Sequence, residues 1–151
     1  MLKRILLAVA IVLLVLQVFR PAKNQSGDAP GADDFIVRFK PPAEVAAVLR
    51  AACYDCHSDA TRYPWYAQVQ PVAWWLADHI SEGKEELNLS RFGAHDRATQ
   101  LKLLDRMSQE IFDREMPLRS YTWMHRDARL TEAQVRAVTE WIDSLHDRLA
   151  E

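Results

Sequence analysis

Apolar residues are distributed along this chain in two ways. From Ile5 to Phe19 they are continuous, broken only by Gln17, and a helix built from that run has no polar face. Beyond Asp34 they recur at helical spacing instead. Val45, Val48 and Leu49 share one side of a helix that Pro41 and Pro42 open, with Glu44 at its positive end, and that helix runs straight into Cys53. Pro71 opens another, through Ala77 to about Glu82; its stripe is Val72, Trp75, Leu76, His79 and Ile80, and Gly83 is its stop. Asp96 caps a third helix to about Arg114, with Leu101, Leu104, Ile111 and Phe112 facing inward and Pro117 ending it. Thr131 and Gln134 form a capping box for the last helix, whose stripe is Val135, Val138, Ile142, Leu145 and Leu149, with Trp141 beside it.

The connecting stretches carry breakers and no helical period. Ala22 to Asp34 mixes Lys, Asn, Gln, Ser, Gly, Asp and Pro, the composition of a flexible tether. Phe35 to Phe39 is a short extended segment stopped by the two prolines. Thr61 to Tyr66 is a loop rich in aromatic residues, Leu87 to Gly93 an irregular link, and Ser120 to Leu130 a loop. Four glycines in 151 residues, with abundant Ala, Leu, Glu and Arg, favour helices over sheet. The predicted class is all-α: an apolar segment over 1–20, a tether over 21–40, and one small helical domain over 41–151.

Charge adds a direction to the first segment. Lys3 and Arg4 precede the apolar run, giving the basic start and apolar middle of a secretory signal. The run is shorter than the roughly 20 residues of a comfortable spanning helix. No small-residue cleavage site follows it, since Phe19, Arg20 and Pro21 are bulky, charged and proline-broken. The expectation is an uncleaved signal anchor (a single-pass transmembrane helix in a bacterial inner membrane), with the domain in the periplasm. Formal charge is −2; without Lys3, Arg4 and Arg20 it is −5, with 16 basic against 21 acidic residues. That balance argues against a nucleic-acid partner.

Chemistry concentrates at Cys53, Tyr54, Asp55, Cys56 and His57, which spell C-x-x-C-H. This is the attachment signature of c-type haem. Two thiols at this spacing can each add to a vinyl group of haem, and the histidine that follows can bind iron on the proximal side. The two cysteines are the only ones in the chain, so none remains for a structural disulfide or a four-ligand zinc site. A thioredoxin-like dithiol would need a βαβ setting, and no strands are predicted to build one. Met116, followed by Pro117 at a helix exit, is the expected distal iron ligand. Met124 and His125 are its substitutes, while Met107 is read as core. His79 is read as a packed, hydrogen-bonded histidine, and His95 and His146 as surface or cap residues. The second ring nitrogen of His57 needs a carbonyl to hold it, sought near Tyr63 or Pro64. Trp65, Tyr66, Trp74, Trp75 and Trp123 are candidate walls for the haem, and Arg62, Arg119 and Arg126 candidate partners for its propionates.

The stretches Cys53 to Ser58, Thr61 to Tyr66 and Pro71 to Leu76 resemble a bacterial haem-binding domain family. So do Glu115 to Pro117, and His125 followed by Ala128, Leu130 and Thr131. The resemblance spans roughly Pro41 to Leu149. It implies a small α-helical, cytochrome c-like fold around one covalent haem. Two positions depart from the family's usual pattern: Leu118, where a second proline often follows Met-Pro, and Arg126, where proline often follows the later histidine.

The function expected from these features is electron transfer between redox partner proteins, for which no catalytic acid or base is required and none is assigned. One alternative is a haem-based ligand sensor or peroxidase with an open or displaceable distal site, where His125 or an arginine would supply a polar group. The other is a non-catalytic scaffold in which haem only completes the core.

Overall fold

Five of the eight helices in this protein begin where a side chain or a proline deals with the first free amides. The computed structural model describes residues 1–151. In order the elements are α1 (Leu2–Leu16), α2 (Phe35–Phe39), α3 (Ala43–Ala52), α4 (Tyr54–His57), α5 (Val72–Glu86), α6 (Arg97–Phe112), α7 (Arg119–Met124) and α8 (Glu132–Ala150). Asp34 accepts from the amides of Ile36 and Val37, Asp96 from that of Thr99, and Thr131 from that of Gln134 in a complete capping box. Pro42 and Pro71 precede α3 and α5. The only β pairing is an isolated antiparallel bridge between Gln25 and Ala60. The fold is all-α, as the hydrophobic pattern predicts.

α6 and α8 pack along each other, and α3 lies against α8. Their facing residues form one apolar cluster, with Leu49, Leu104, Met107, Ile111, Val135, Val138, Ile142 and Leu145 buried. These stripes agree with the sequence at α3 and α8. In α6 the buried series is Leu104, Met107 and Ile111, while Phe112 is 70% exposed. One residue is ~100° of helix rotation, and that single step takes Phe112 off the face Ile111 occupies. α5 shows the same rotation. It buries Ala73, Leu76 and Ile80, and leaves Val72 and Trp75 exposed on the neighbouring side.

Three connecting stretches differ from expectation. Phe35 to Phe39 is helical, not extended, because Asp34 caps it and Lys40 closes it in the left-handed conformation, at φ 48°. Gly83 lies inside α5, which continues to Glu86. Between Ser120 and Leu130 the chain forms the C-terminal part of α7 and a 3-10 turn, Arg126–Ala128, where a loop was predicted. Neither α7 nor that turn has a side-chain cap or a long apolar stripe, so tertiary contacts hold what local sequence does not announce.

Residues 21–40, read as a tether, are held to the domain by hydrogen bonds and by packing. The Asn24 side chain donates to the Ser58 carbonyl at 2.7 Å and to Thr61 Oγ1 at 2.9 Å, and its backbone oxygen accepts from the Thr61 amide at 2.9 Å. Phe35 is fully buried and meets Phe92 and Trp141 edge-on, with centroids 4.8 and 5.7 Å apart. α1 carries no buried residue, and no helix of the structure is long and apolar enough to cross a membrane.

Phe35 separates a tether from a core element. Phe35→Ala should cost about 3–5 kcal/mol of unfolding free energy in urea, whereas a residue in a free tether would change it by a few tenths.

Candidate functional site

Cys53 is a hinge between two helices. It closes α3 and opens α4, with φ −123° and ψ −45°, and its carbonyl accepts from the His57 amide at 2.9 Å. The helix expected to run straight into the motif therefore breaks at Cys53, and the motif forms its own turn. In that turn Cys53, Cys56 and His57 stand at i, i+3 and i+4, one face of a helix. All three line one cavity of about 410 Å³. Its other walls come from α5, α6 and the chain after α6, including Leu87, Leu103, Met107, Ile111, Met116 and Leu118.

The other two residues of the motif are anchors. The Tyr54 hydroxyl lies 3.1 and 3.2 Å from the two carboxylate oxygens of Asp34, the cap of α2. Asp55 is 6% exposed. Arg62 binds it through Nε at 3.0 Å and Nη2 at 3.1 Å, the Arg62 amide donates at 3.1 Å, and the Tyr121 hydroxyl donates at 2.7 Å. Asp59, just after the motif, accepts from Lys84, Asn88 and Arg91 at 2.7 to 3.0 Å. Its partial burial disfavours the charged form, but these three donors together outweigh that and draw its carboxyl down to about 2.

The imidazole of His57 is fixed by a helix end. Leu87 caps α5 in extended conformation, so its carbonyl is free of the helical ladder. It lies 3.0 Å from His57 Nδ1. A carbonyl can only accept, so Nδ1 carries the proton and Nε2 keeps its lone pair. The partner is Leu87, not a carbonyl near Tyr63 or Pro64. Gly83 allows this approach: a Cβ there would come 3.1 Å from the Cys56 carbonyl oxygen.

Burial, and secondarily Cys56, push the Cys53 thiol up to about 12; burial, and then Asp55, push Cys56 up to about 11. A redox dithiol needs the opposite shift. Two protonated thiols beside an imidazole with a free nitrogen, in an apolar cavity, can instead hold a large apolar group through sulfur and offer nitrogen to a metal within it.

The structure thus brings Met116 to the same cavity as Cys53, Cys56 and His57. It does not bring Met124 or His125 there. Met124 is exposed, and His125 stacks on Tyr121 at 4.1 Å with its Nδ1 3.1 Å from the Tyr121 carbonyl oxygen. None of the five candidate wall residues Trp65, Tyr66, Trp74, Trp75 and Trp123 lines the cavity; Trp65 and Trp123 are each 76% exposed. Helix phase and loop exposure turn them elsewhere, and aliphatic and methionine side chains take their place. Arg62 is engaged by Asp55, while Arg119 and Arg126 are exposed and off the cavity; the basic residue lining it is Arg106, paired with Glu86 at 2.7 Å.

Among the cavity residues not foreseen from sequence, His79 and Tyr121 carry polar chemistry. His79 is packed on Trp75, with its Nδ1 3.0 Å from the Trp75 carbonyl oxygen, but it also lines the cavity. Its spacing to Glu82, Gly83 and Glu86 on α5 was the available signal. Tyr121 had no such signal, because the short α7 was not foreseen.

A family model described as haem-binding domain matches residues 11–144. No curated protein and no solved structure matches the chain. The match covers most of the sequence, including the C-x-x-C-H turn and every residue named above as lining the cavity: the chain belongs to the haem-binding domain family.

Proposed function

We propose that the protein is a c-type cytochrome that carries one covalent haem and transfers electrons, tethered to a bacterial inner membrane with its domain in the periplasm. One observation carries the reading: Cys53, Cys56, His57 and Met116 line the same apolar cavity. The cavity fits the group. It offers two thiols at vinyl spacing, an imidazole whose proton is already placed on Nδ1, and apolar walls.

Bound there, haem supplies a one-electron change at iron. The protein's part is to hold and shield it. Cys53 and Cys56 would hold the group through thioether links. His57, kept in orientation by the Leu87 carbonyl, would offer Nε2 to its iron. Met116 would offer its thioether, a ligand that favours the ferrous state and raises the potential. Leu103, Met107, Ile111 and Leu118 would keep water from the ring, and Arg106, which lines the cavity, would be the arginine nearest in chemistry to a propionate partner. Haem held by both His57 and Met116 would exchange electrons without admitting a substrate, in a cytochrome c-like arrangement. The acidic surface suits partners with basic patches, in weak and salt-sensitive encounters with redox proteins.

The tether reading is supported by α1. Its apolar residues apart from the half-buried Leu16 are exposed, as are Val18 and Phe19 beyond it. An uncovered apolar run behind Lys3 and Arg4 matches a segment covered by lipid in the cell.

A second reading is favoured by His79. Its Nε2 makes no protein hydrogen bond while it lines the cavity. In a haem-based ligand sensor or peroxidase, His79 rather than His125 would supply the polar group of the cavity.

The purified holoprotein separates the two. In electron transfer, the oxidised spectrum carries a weak sulfur-to-iron band at its red end, Met116→Ala abolishes it, and ferrous wild type binds carbon monoxide poorly. Identical spectra for wild type and variant, with rapid carbon monoxide binding by both, favour the second reading. For the tether, the full chain should remain with membranes after a carbonate wash, and a chain whose residues 1–20 are replaced by a cleavable export signal should appear in the soluble periplasmic fraction. A full chain recovered as soluble would contradict it.

A further inference from the structure

We infer that Asp55 is a positioning residue for the distal wall of the cavity, clasping the 116–125 segment to the C-x-x-C-H turn through the hydroxyl of Tyr121. The inference deepens the reading above and rests on Met116 as the distal ligand.

Asp55 sits between the two attachment cysteines but on the opposite side of their turn, where it is buried. Its Oδ1 accepts from Arg62 Nε and from the Arg62 amide; its Oδ2 accepts from Arg62 Nη2 and from the Tyr121 hydroxyl. A carboxylate has room for about four donors, and here they are all supplied. Arg62 Nη2 also reaches the Arg50 carbonyl at 3.2 Å, and the Tyr121 hydroxyl lies 3.3 Å from that of Ala51. The carboxylate is therefore held from the end of α3, and Arg62 keeps it aimed.

What it holds is the only polar link from the distal segment to this turn. The chain leaves α6 with the Glu115 and Met116 amides bonded to the Glu110 carbonyl at 3.0 and 3.1 Å. Past Met116 it enters α7, which has no side-chain cap and no buried residue. Its other side-chain bonds stay local or reach Arg129 and Tyr66. Only the Tyr121 hydroxyl joins residues 116–125 to α3 and α4. The Tyr121 ring lines the cavity beside Met116, Pro117 and Leu118. One bond of 2.7 Å thus fixes the distance between the proximal turn and the distal segment.

The test uses the full holoprotein and two variants. Tyr121→Phe keeps the ring and removes the hydroxyl; Asp55→Asn keeps the shape and removes the charge. Three readouts are followed: carbon monoxide binding to the ferrous form, the red sulfur-to-iron band, and amide exchange along the chain. In Tyr121→Phe, carbon monoxide should bind about tenfold faster or more, the change in open population expected from losing a hydrogen bond to a charged group. The band should weaken, and exchange over 116–125 should rise while α6 and α8 stay protected. Asp55→Asn should move all three the same way; if it fails to mature, Tyr121→Phe decides alone. Unchanged ligand binding and band in Tyr121→Phe, even with faster exchange, overturn the positioning role. If Met116→Ala shows that sulfur never bound iron, the ligand reading has failed separately. Amide exchange over 116–125 then decides the clasp: a rise in Tyr121→Phe sustains it, and no rise overturns it.

Discussion

One helical turn has to face two ways. Three of its five residues, at i, i+3 and i+4, must present two sulfur atoms and an imidazole to a single apolar cavity. The same turn must be fixed to the protein by whatever remains, and only Tyr54 and Asp55 remain. Both carry polar tips that reach fixed partners: Tyr54 reaches Asp34 before α2, and Asp55 reaches Arg62 and Tyr121. A helix that continued through Cys53 would carry the motif on with α3; the break at Cys53 sets its turn apart. The rest of the architecture follows from this division. α5 approaches closely because residue 83 has no side chain, its end delivers the Leu87 carbonyl to His57, and Asn24 and Asp59 tie down the chain that leaves the turn.

The apolar interior is accordingly in two parts. One is the cluster that α3, α6 and α8 share with Phe35 and Phe92. The other is the cavity, and α6 serves both, since Met107 and Ile111 belong to the cluster and also line the cavity. A large apolar group seated there extends the core of a small domain, whose own burial leaves only a narrow margin of stability. Binding and folding are then linked: what fills the cavity stabilises the folded chain and not the unfolded one.

Much of this was legible in the sequence. The stripes of α3 and α8, the caps at Asp96 and Thr131, and the all-α class followed from spacing and capping chemistry. Spacing also points to residues 53 to 57 and to a methionine at a helix exit, and the structure lines one cavity with Cys53, Cys56, His57 and Met116. The failures share a cause. Phe112, Val72 and Trp75 are apolar residues one step off the buried face, and a stripe read by eye is broader than the contact that tertiary packing selects. Phe35 looked like part of an extended segment because five residues carry too little period to announce a helix; Asp34 as its cap was the available clue. The carbonyl that holds His57, and the tyrosine that meets Asp55, come from distant parts of the chain. No local signal encodes such pairings. Aromatic residues suggested a haem wall by their chemistry alone, whereas helix phase sends Trp75 outward and brings Met107 in.

Everything in this account turns on sulfur at Cys53 and Cys56 forming bonds rather than contacts. The most direct test is the mass of the denatured full chain after expression with haem maturation, together with its colour after extraction in acidified organic solvent. The account predicts a chain heavier by one haem that keeps its absorption through extraction, and a Cys53→Ser/Cys56→Ser chain that has neither. A wild-type chain of unmodified mass, from which the solvent removes all colour, would contradict it.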